Sequence, residues 1–316
     1  MANNYLEFEK PIMELESRME ELRQVSSMEG RDCTDELHRL QKKLHQLQRN
    51  VYSNLSPWQK TLLARHARRP NILDYVSLMM EEFYELHGDR TYGDDPAIVA
   101  GLARLDGIPV AVVGHHKGRN TRENIDRNFG MPAPEGYRKA LRIMRLAEKF
   151  KMPIITFIDT PGAYPGIGAE ERGQGEAIAR NLFEMSNLKT PIVVVVSGEG
   201  GSGGALAIGV GDVTIILENA VYSVISPESC SSILWRETSK AEEAAKALKM
   251  TAQDLEKMGI VDRILPEPLG GAHRNHEEMA ETLKTALLEV LEDLSKMPPE
   301  QLTANRLERF RKIGAF

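Results

Sequence analysis

At 316 residues, 41% hydrophobic and 27% charged, the chain is long enough to bury one large core or two small ones, and too apolar for disorder. It contains no run of about eighteen apolar residues and no charged-then-apolar leader, so neither a membrane span nor a secretory signal is expected and a cytoplasmic protein is. The net charge of −6 argues against general nucleic-acid affinity. Cys33 and Cys230 stand far apart without His or Cys at ligand spacing, which supports neither a disulfide scaffold nor a metal site.

Residues 1–70 read as a helical extension. Ile12, Leu15, Met19, Leu22 and Val25 recur at threes and fours, as do Leu37, Leu40, Leu44, Leu47 and Val51, with a polar break over 26–32. That is a helical hairpin, whose leucine seam either packs on its own domain or docks a partner subunit. Ser56-Pro57-Trp-Gln59 predicts a capped third helix. Residues 71–297 form the main domain. Short apolar runs start at Ile108, Pro153, Pro191, Val213 and Val221, and helices are expected over 136–150, over 168–185, from Ser226 and over 276–294. Strand, turn and helix repeat as successive turns of one α/β coil. Residues 298–316 are a tail, amphipathic at best. From His115 to Lys149 nine Lys or Arg stand against four acids, a local excess able to face an anion or simply a solvated helix face.

Two glycine-rich turns carry the chemistry. Gly198-Glu-Gly-Gly-Ser-Gly-Gly-Ala-Leu206 follows a strand and opens a helix, so unpaired peptide N–H groups should converge there. Gly198-x-Gly200-x-x-Gly203, with Glu218 twenty residues on, satisfies the dinucleotide fingerprint, but a helix ending near Gly209 is short for it. Gly200-x-Ser202-x-Gly204 satisfies the nucleophile elbow of serine hydrolases. Only His273 and His276 lie downstream as bases, with His115 and His116 upstream. Seven glycines from Gly198 to Gly211 exceed what packing needs, which leaves an oxyanion hole made of backbone donors. The second turn, Asp159-Thr-Pro-Gly-Ala-Tyr-Pro-Gly166, is expected to run beside the first. Asp159 reads as a turn-former, and Glu170, Glu171 and Arg172 as helix-start charges.

Six blocks, Gly114–Arg119, Asn128–Arg138, Phe157–Gly166, Gly198–Gly209, Tyr222–Glu228 and Pro266–Asn275, resemble the carboxyltransferase α subunit of multi-subunit acetyl-CoA carboxylase over essentially the whole chain. The resemblance implies a crotonase-like fold, a coil of β-β-α units. It implies transfer of the carboxyl group of carboxybiotin, borne on the biotin carboxyl carrier protein, to acetyl-CoA. The product is malonyl-CoA, at the committed step of fatty acid synthesis, in an ATP-dependent holoenzyme that also contains biotin carboxylase. It implies an α2β2 heterotetramer with a β subunit that holds the zinc, so no metal is expected here. On the same ground Gly203 and Gly204, with Ala205 as alternative, stabilise the negative ureido oxygen left on biotin. Gly162, Ala163, Tyr164, Pro165, Gly166, Gly200, Gly201 and Ser202 then wall the biotin pocket. A serine hydrolase using Ser202 is the alternative.

Overall fold

The computed structural model describes residues 5–29 and 32–314. Helices α1 (Lys10–Glu29) and α2 (Thr34–Tyr52) form the hairpin. Ile12, Met19 and Leu44 are buried in it, with Leu15, Leu37, Leu40, Leu47 and Val51 packed around them, so the leucine seam is spent between the two helices. Ser26 to Glu29, expected in the break, instead finish α1, because no strong helix breaker precedes Gly30. Gly30 and Arg31 of that break lie outside the described residues.

Helix α3 (Pro57–Ala64) opens as the sequence predicts. The Gln59 amide donates to Ser56 Oγ at 3.2 Å, and Ser56 N donates to Gln59 Oε1 at 2.8 Å, a reciprocal cap that satisfies two otherwise orphaned donors. Helix α4 (Ile72–Met79) is capped by Asn71 in the same way.

One sheet of eight strands follows: β1 (Glu81–Glu85), β2 (Ile98–Leu105), β3 (Ile108–His115), β4 (Ile154–Thr160), β5 (Ile192–Gly201), β6 (Val213–Leu217), β7 (Val221–Ser223) and β8 (Arg263–Leu265). Their spatial order is β1-β2-β3-β4-β5-β6-β8, with β7 also on β5. The first three are antiparallel and the rest parallel. Strands β4 and β5 are apolar on both faces because helices cover both sides.

Between the strands lie α5 (Thr121–Asp126), α6 (Pro134–Lys149), α7 (Ile167–Glu171), α8 (Gln174–Asn187), α9 (Ser202–Leu206), α10 (Pro227–Trp235), α11 (Ala241–Leu248) and α12 (Ala252–Lys257). The helix expected over 168–185 is thus two, α7 and α8, parted by Gly173 at φ +83°.

The chain closes with α13 (His276–Ser295) and α14 (Pro299–Lys312). The tail is more than amphipathic: Leu302 and Arg306 are buried. Arg306 grips Asp212 with Nε at 2.9 Å and Nη2 at 2.8 Å, and donates to the carbonyls of Met185, Leu188 and Thr190. At the other end of the chain, Tyr52 and Leu6 N donate to Glu9, whose carboxylate also lies 3.3 Å from His273 Nε2. This clasp fixes the hairpin to the domain.

Candidate functional site

Strand β5 forks, and the fork positions the site. Its first half pairs with β6 at Val193–Val196, and its last three residues, Glu199–Gly201, pair with β7. The strand therefore runs past its neighbour before turning into the five-residue α9. Ser202 sits at that turn with φ +51°, a left-handed conformation that a non-glycine residue adopts at a cost of about 1–2 kcal/mol. Ser202 is exposed, Gly203 half-buried, and Gly204 and Ala205 buried.

The second turn runs beside the first, as expected. A Cβ on Gly204 would stand 2.6 Å from the Ala163 amide nitrogen, and one on Gly201 would overlap the Pro161 carbonyl. Both clashes are with backbone, which cannot swing aside. At Gly203, by contrast, the nearest atom to a Cβ is Ile178 Cδ1 at 3.5 Å. The Asp159–Gly166 turn is held by Thr160 Oγ1, which donates to the Gly162 carbonyl at 2.8 Å and accepts from the Gly162 amide at 3.1 Å. Gln174 Nε2 donates to the carbonyls of Tyr164 and Pro132, both at 2.9 Å. Of the expected pocket walls, Ala163, Tyr164, Pro165, Gly166 and Ser202 reach the surface, while Gly162, Gly200 and Gly201 lie beneath it.

Under the turns lies a charged network that the sequence reading passed over. Asp159 Oδ1 accepts from Lys117 Nζ at 2.7 Å and from the Glu199 amide at 3.0 Å, tying the two turns together. Arg65, at the end of α3, bridges Glu199 at 2.7 Å and Glu228 at 2.5 Å. Burial opposes the Arg65 charge, but hydrogen bonds to Glu228 and Glu199 outweigh it and hold the guanidinium above its ordinary range. Asp159 thus links its turn to residues 40 and 42 positions away rather than closing the turn itself, which Thr160 does. The only signal for Glu199 and Arg65 was their position, one inside a glycine block and the other 134 residues away.

His115 is fully buried, its imidazole against the backbone of Gly204 and Phe157, and neither ring nitrogen has a well-formed hydrogen bond. Burial lowers its pKa to about 4, with Asp159 pulling weakly the other way, and burial lowers that of His116 to about 4 too. Beside Ser202 an apolar cavity of about 380 Å³ reaches past Tyr222 and Val224 to Phe310 and Ile313 of the tail, a wall the sequence did not suggest.

The rival chemistries lose their partners. His273 packs against His66 with ring centroids 4.2 Å apart and the rings tilted by 38°, and His276 contacts the Arg68 carbonyl at 2.8 Å. Among the described residues no histidine hydrogen-bonds the Ser202 hydroxyl, so the elbow has no base. Glu218, the would-be ribose acid, accepts from the Glu267 amide at 3.1 Å, and α9 is too short for a dinucleotide crossover. Glu9, His66 and His273 bring three ligand atoms within 4.8 Å of one another. Yet Arg274 Nη2 stands 3.7 Å from Glu9 Oε1 and already matches its charge, so the group works as the hairpin clasp.

A mostly parallel coil of strand, glycine-rich turn and helix defines a fold class, the crotonase-like fold. Among solved structures, transcarboxylase 12S superimposes with a TM-score of 0.55 at 19% identity over 70% of this chain and 42% of that one. A Pseudomonas malonate decarboxylase hetero-tetramer in complex with coenzyme A gives 0.56 at 19% identity over 70% and 89%. Residues 5–314 match the family described as acetyl co-enzyme A carboxylase carboxyltransferase-like. The chain is 58% identical to the acetyl-coenzyme A carboxylase carboxyl transferase subunit alpha of Methylococcus capsulatus, over all of this chain and 98% of the relative. It is 57% identical to the protein of that name in Bordetella pertussis over the same shares, and 56% in Xanthomonas campestris pv. campestris over 100% and 99%. The chain belongs to the family of acetyl-CoA carboxylase carboxyltransferase α subunits.

Proposed function

We propose that this chain, with a β subunit in an α2β2 assembly, transfers the carboxyl group of carboxybiotin to acetyl-CoA in the cytoplasm and so forms malonyl-CoA. The biotin arrives on its carrier protein after charging by biotin carboxylase, and the zinc belongs to the β subunit. The amides of Gly203 and Gly204, or of Ala205 in place of one, donate to the ureido oxygen as negative charge develops on it, so positioning and electrostatics replace a side-chain base. Ala163, Tyr164, Pro165, Gly166 and Ser202 face the ring, while Gly162, Gly200 and Gly201 hold the two turns at contact distance. The apolar cavity beside Ser202 suits the hydrocarbon side of the biotin ring.

The observation that carries this reading is the backbone-on-backbone contact at Gly204, where a Cβ would stand 2.6 Å from Ala163 N. A turn pressed that closely fixes its amides, and fixed donors cost no reorganisation when charge appears. The test is malonyl-CoA-dependent carboxylation of free biotin by this chain with and without its β subunit. Activity is expected from the pair alone. Turnover by the isolated chain, or labelling of Ser202 by a fluorophosphonate, would overturn it.

A further inference from the structure

Strand β5 does not stay in step with β4. Ile158 pairs with Val196, but the next pair is Thr160 with Gly200, so one residue of β4 faces three of β5. A step of this kind takes backbone groups out of the ladder and turns the strand onto a new course, here towards β7 and into the α9 turn. Groups taken out of the ladder need partners elsewhere. Two charged side chains supply them. Arg69 donates to the Ser197 carbonyl from Nη2 at 2.9 Å and from Nε at 3.2 Å. Asp159, the single residue opposite the step, accepts the Glu199 amide on Oδ1 at 3.0 Å.

Asp159 fits there because a side chain is missing, since a Cβ on Gly198 would overlap its Oδ1. Its charge is met by Lys117, whose Nζ lies 2.7 Å from the same oxygen and 3.8 Å from Glu199 Oε2. The three side chains are 15%, 22% and 8% exposed for Asp159, Lys117 and Glu199, so solvent ions screen the group weakly. Lys117 is backed in turn by Gly130, where a Cβ would stand 2.6 Å from the Lys117 Cγ. Gly130 ends a run of three left-handed residues, with Asn128 at φ +47°, Phe129 at +56° and Gly130 at +77°. Such a run is costly for the two non-glycine residues and persists only where its surroundings hold it.

We propose that Asp159, charged and held by Lys117, is a positioning residue for carboxyl transfer. It takes the Glu199 amide in place of a ladder partner and thereby sets the course on which β5 enters the α9 turn. The inference rests on the function proposed above, because the donors it aims are the amides of that turn. Misplacing them weakens contact with charge that develops only during reaction, whereas the uncharged ureido ring still binds, so the loss falls on kcat and not on KM.

The test uses the complex of this chain with its β subunit. It reads kcat and KM for free biotin in malonyl-CoA-dependent carboxylation, with melting temperature and gel filtration alongside. D159L removes the acceptor and should lower kcat about 10²-fold at a KM near that of the wild type. D159N keeps an oxygen for the Glu199 amide and should lose only about tenfold, the difference between a charge-assisted and a neutral bond. K117M, which removes the opposing charge and keeps most of the stem, should lose about as much as D159N. If D159L fails to fold, D159N and K117M decide, and unchanged kcat in both would overturn the proposal. It would be overturned equally by D159L within about threefold of the wild-type kcat, by D159N as poor as D159L, or by a raised KM at constant kcat. A wild-type complex without carboxylation activity would instead remove the underlying reading, and this inference with it; an active complex indifferent to these substitutions removes the positioning role alone.

Discussion

The glycine turn after β5 and the helix α14 are held by opposite means. At the turn, what matters is the side chain that is missing: the backbone of Pro161–Ala163 occupies the space where Gly201 and Gly204 would carry a Cβ. In α14 one side chain supplies the anchor, since Arg306 reaches both oxygens of Asp212 and three carbonyls. The first arrangement presses two stretches of backbone together, with Ser202 exposed and Gly204 buried beneath it. The second leaves nothing free, and its role is to close the core between α8 and β6.

The comparison breaks most sharply at Arg306. Arg306→Gln leaves the Asp212 carboxylate buried with only the Ile192 amide, which donates at 2.8 Å, among its present partners. The expected cost is about 3–5 kcal/mol, the penalty for stranding a buried charge, read as a lower urea midpoint. A cost under about 1 kcal/mol would mean that the helix is laid on the domain rather than built into it.

Gly204→Ala probes the other side. The added methyl must push Gly162–Ala163 away, so the amides lose their aim while the core stays intact. Malonyl-CoA-dependent turnover should fall by about 10²–10³, the scale of losing an oxyanion donor, with the β subunit still bound in gel filtration. Unchanged turnover would remove the backbone-donor assignment.

These two sites differ equally in how far they can be read from sequence. The turn was legible because its determinants are contiguous: seven glycines between Gly198 and Gly211, and the Pro-Gly pairs of 161–166, each state a local backbone need. The capped start of α3 was legible for the same reason. Arg306 was not, because its partners lie 94 to 121 residues away and an arginine on an amphipathic helix ordinarily faces water. The Arg65–Glu199–Glu228 bridge was hidden likewise, and the split of α7 from α8 hung on a single left-handed glycine. Most of the excess positive charge over 115–149 is absorbed by distant partners, Lys117 by Asp159, Arg119 by Asp74, Lys139 by Asp94, which no local count reveals.

His115 joins the two modes, a buried side chain beneath a backbone-made site. With native pKa values of about 4 against an ordinary 6.5, His115 and His116 bind fewer protons folded than unfolded. Each therefore stabilises the fold above pH 6.5, and that contribution, up to about 3 kcal/mol apiece, is lost as pH falls from 6.5 through 4. Asp95 acts in the opposite sense: burial raises its pKa to about 6 from 3.8, so folding gains as pH falls through 6 towards 3.8. Unfolding free energy measured across that range should drop in the wild type. His116→Gln should flatten the drop by about one proton; an unaltered slope would show that His116 does not carry it.

The smallest expected effect sharpens the comparison most finely, because it separates an amide from the space above it. At Gly203 an added methyl meets only Ile178 Cδ1, at an ordinary 3.5 Å, and the residue lies within α9. Gly203→Ala keeps its N–H and gains helix propensity, so stability should hold or rise by up to about 1 kcal/mol. If the amide alone is used, turnover should stay within about threefold of wild type, a barrier change of well under 1 kcal/mol. A loss as large as that of Gly204→Ala would instead mean that the substrate rests on the bare α-carbon of Gly203, so that closeness of approach, and not donor geometry, is what glycine supplies at that position.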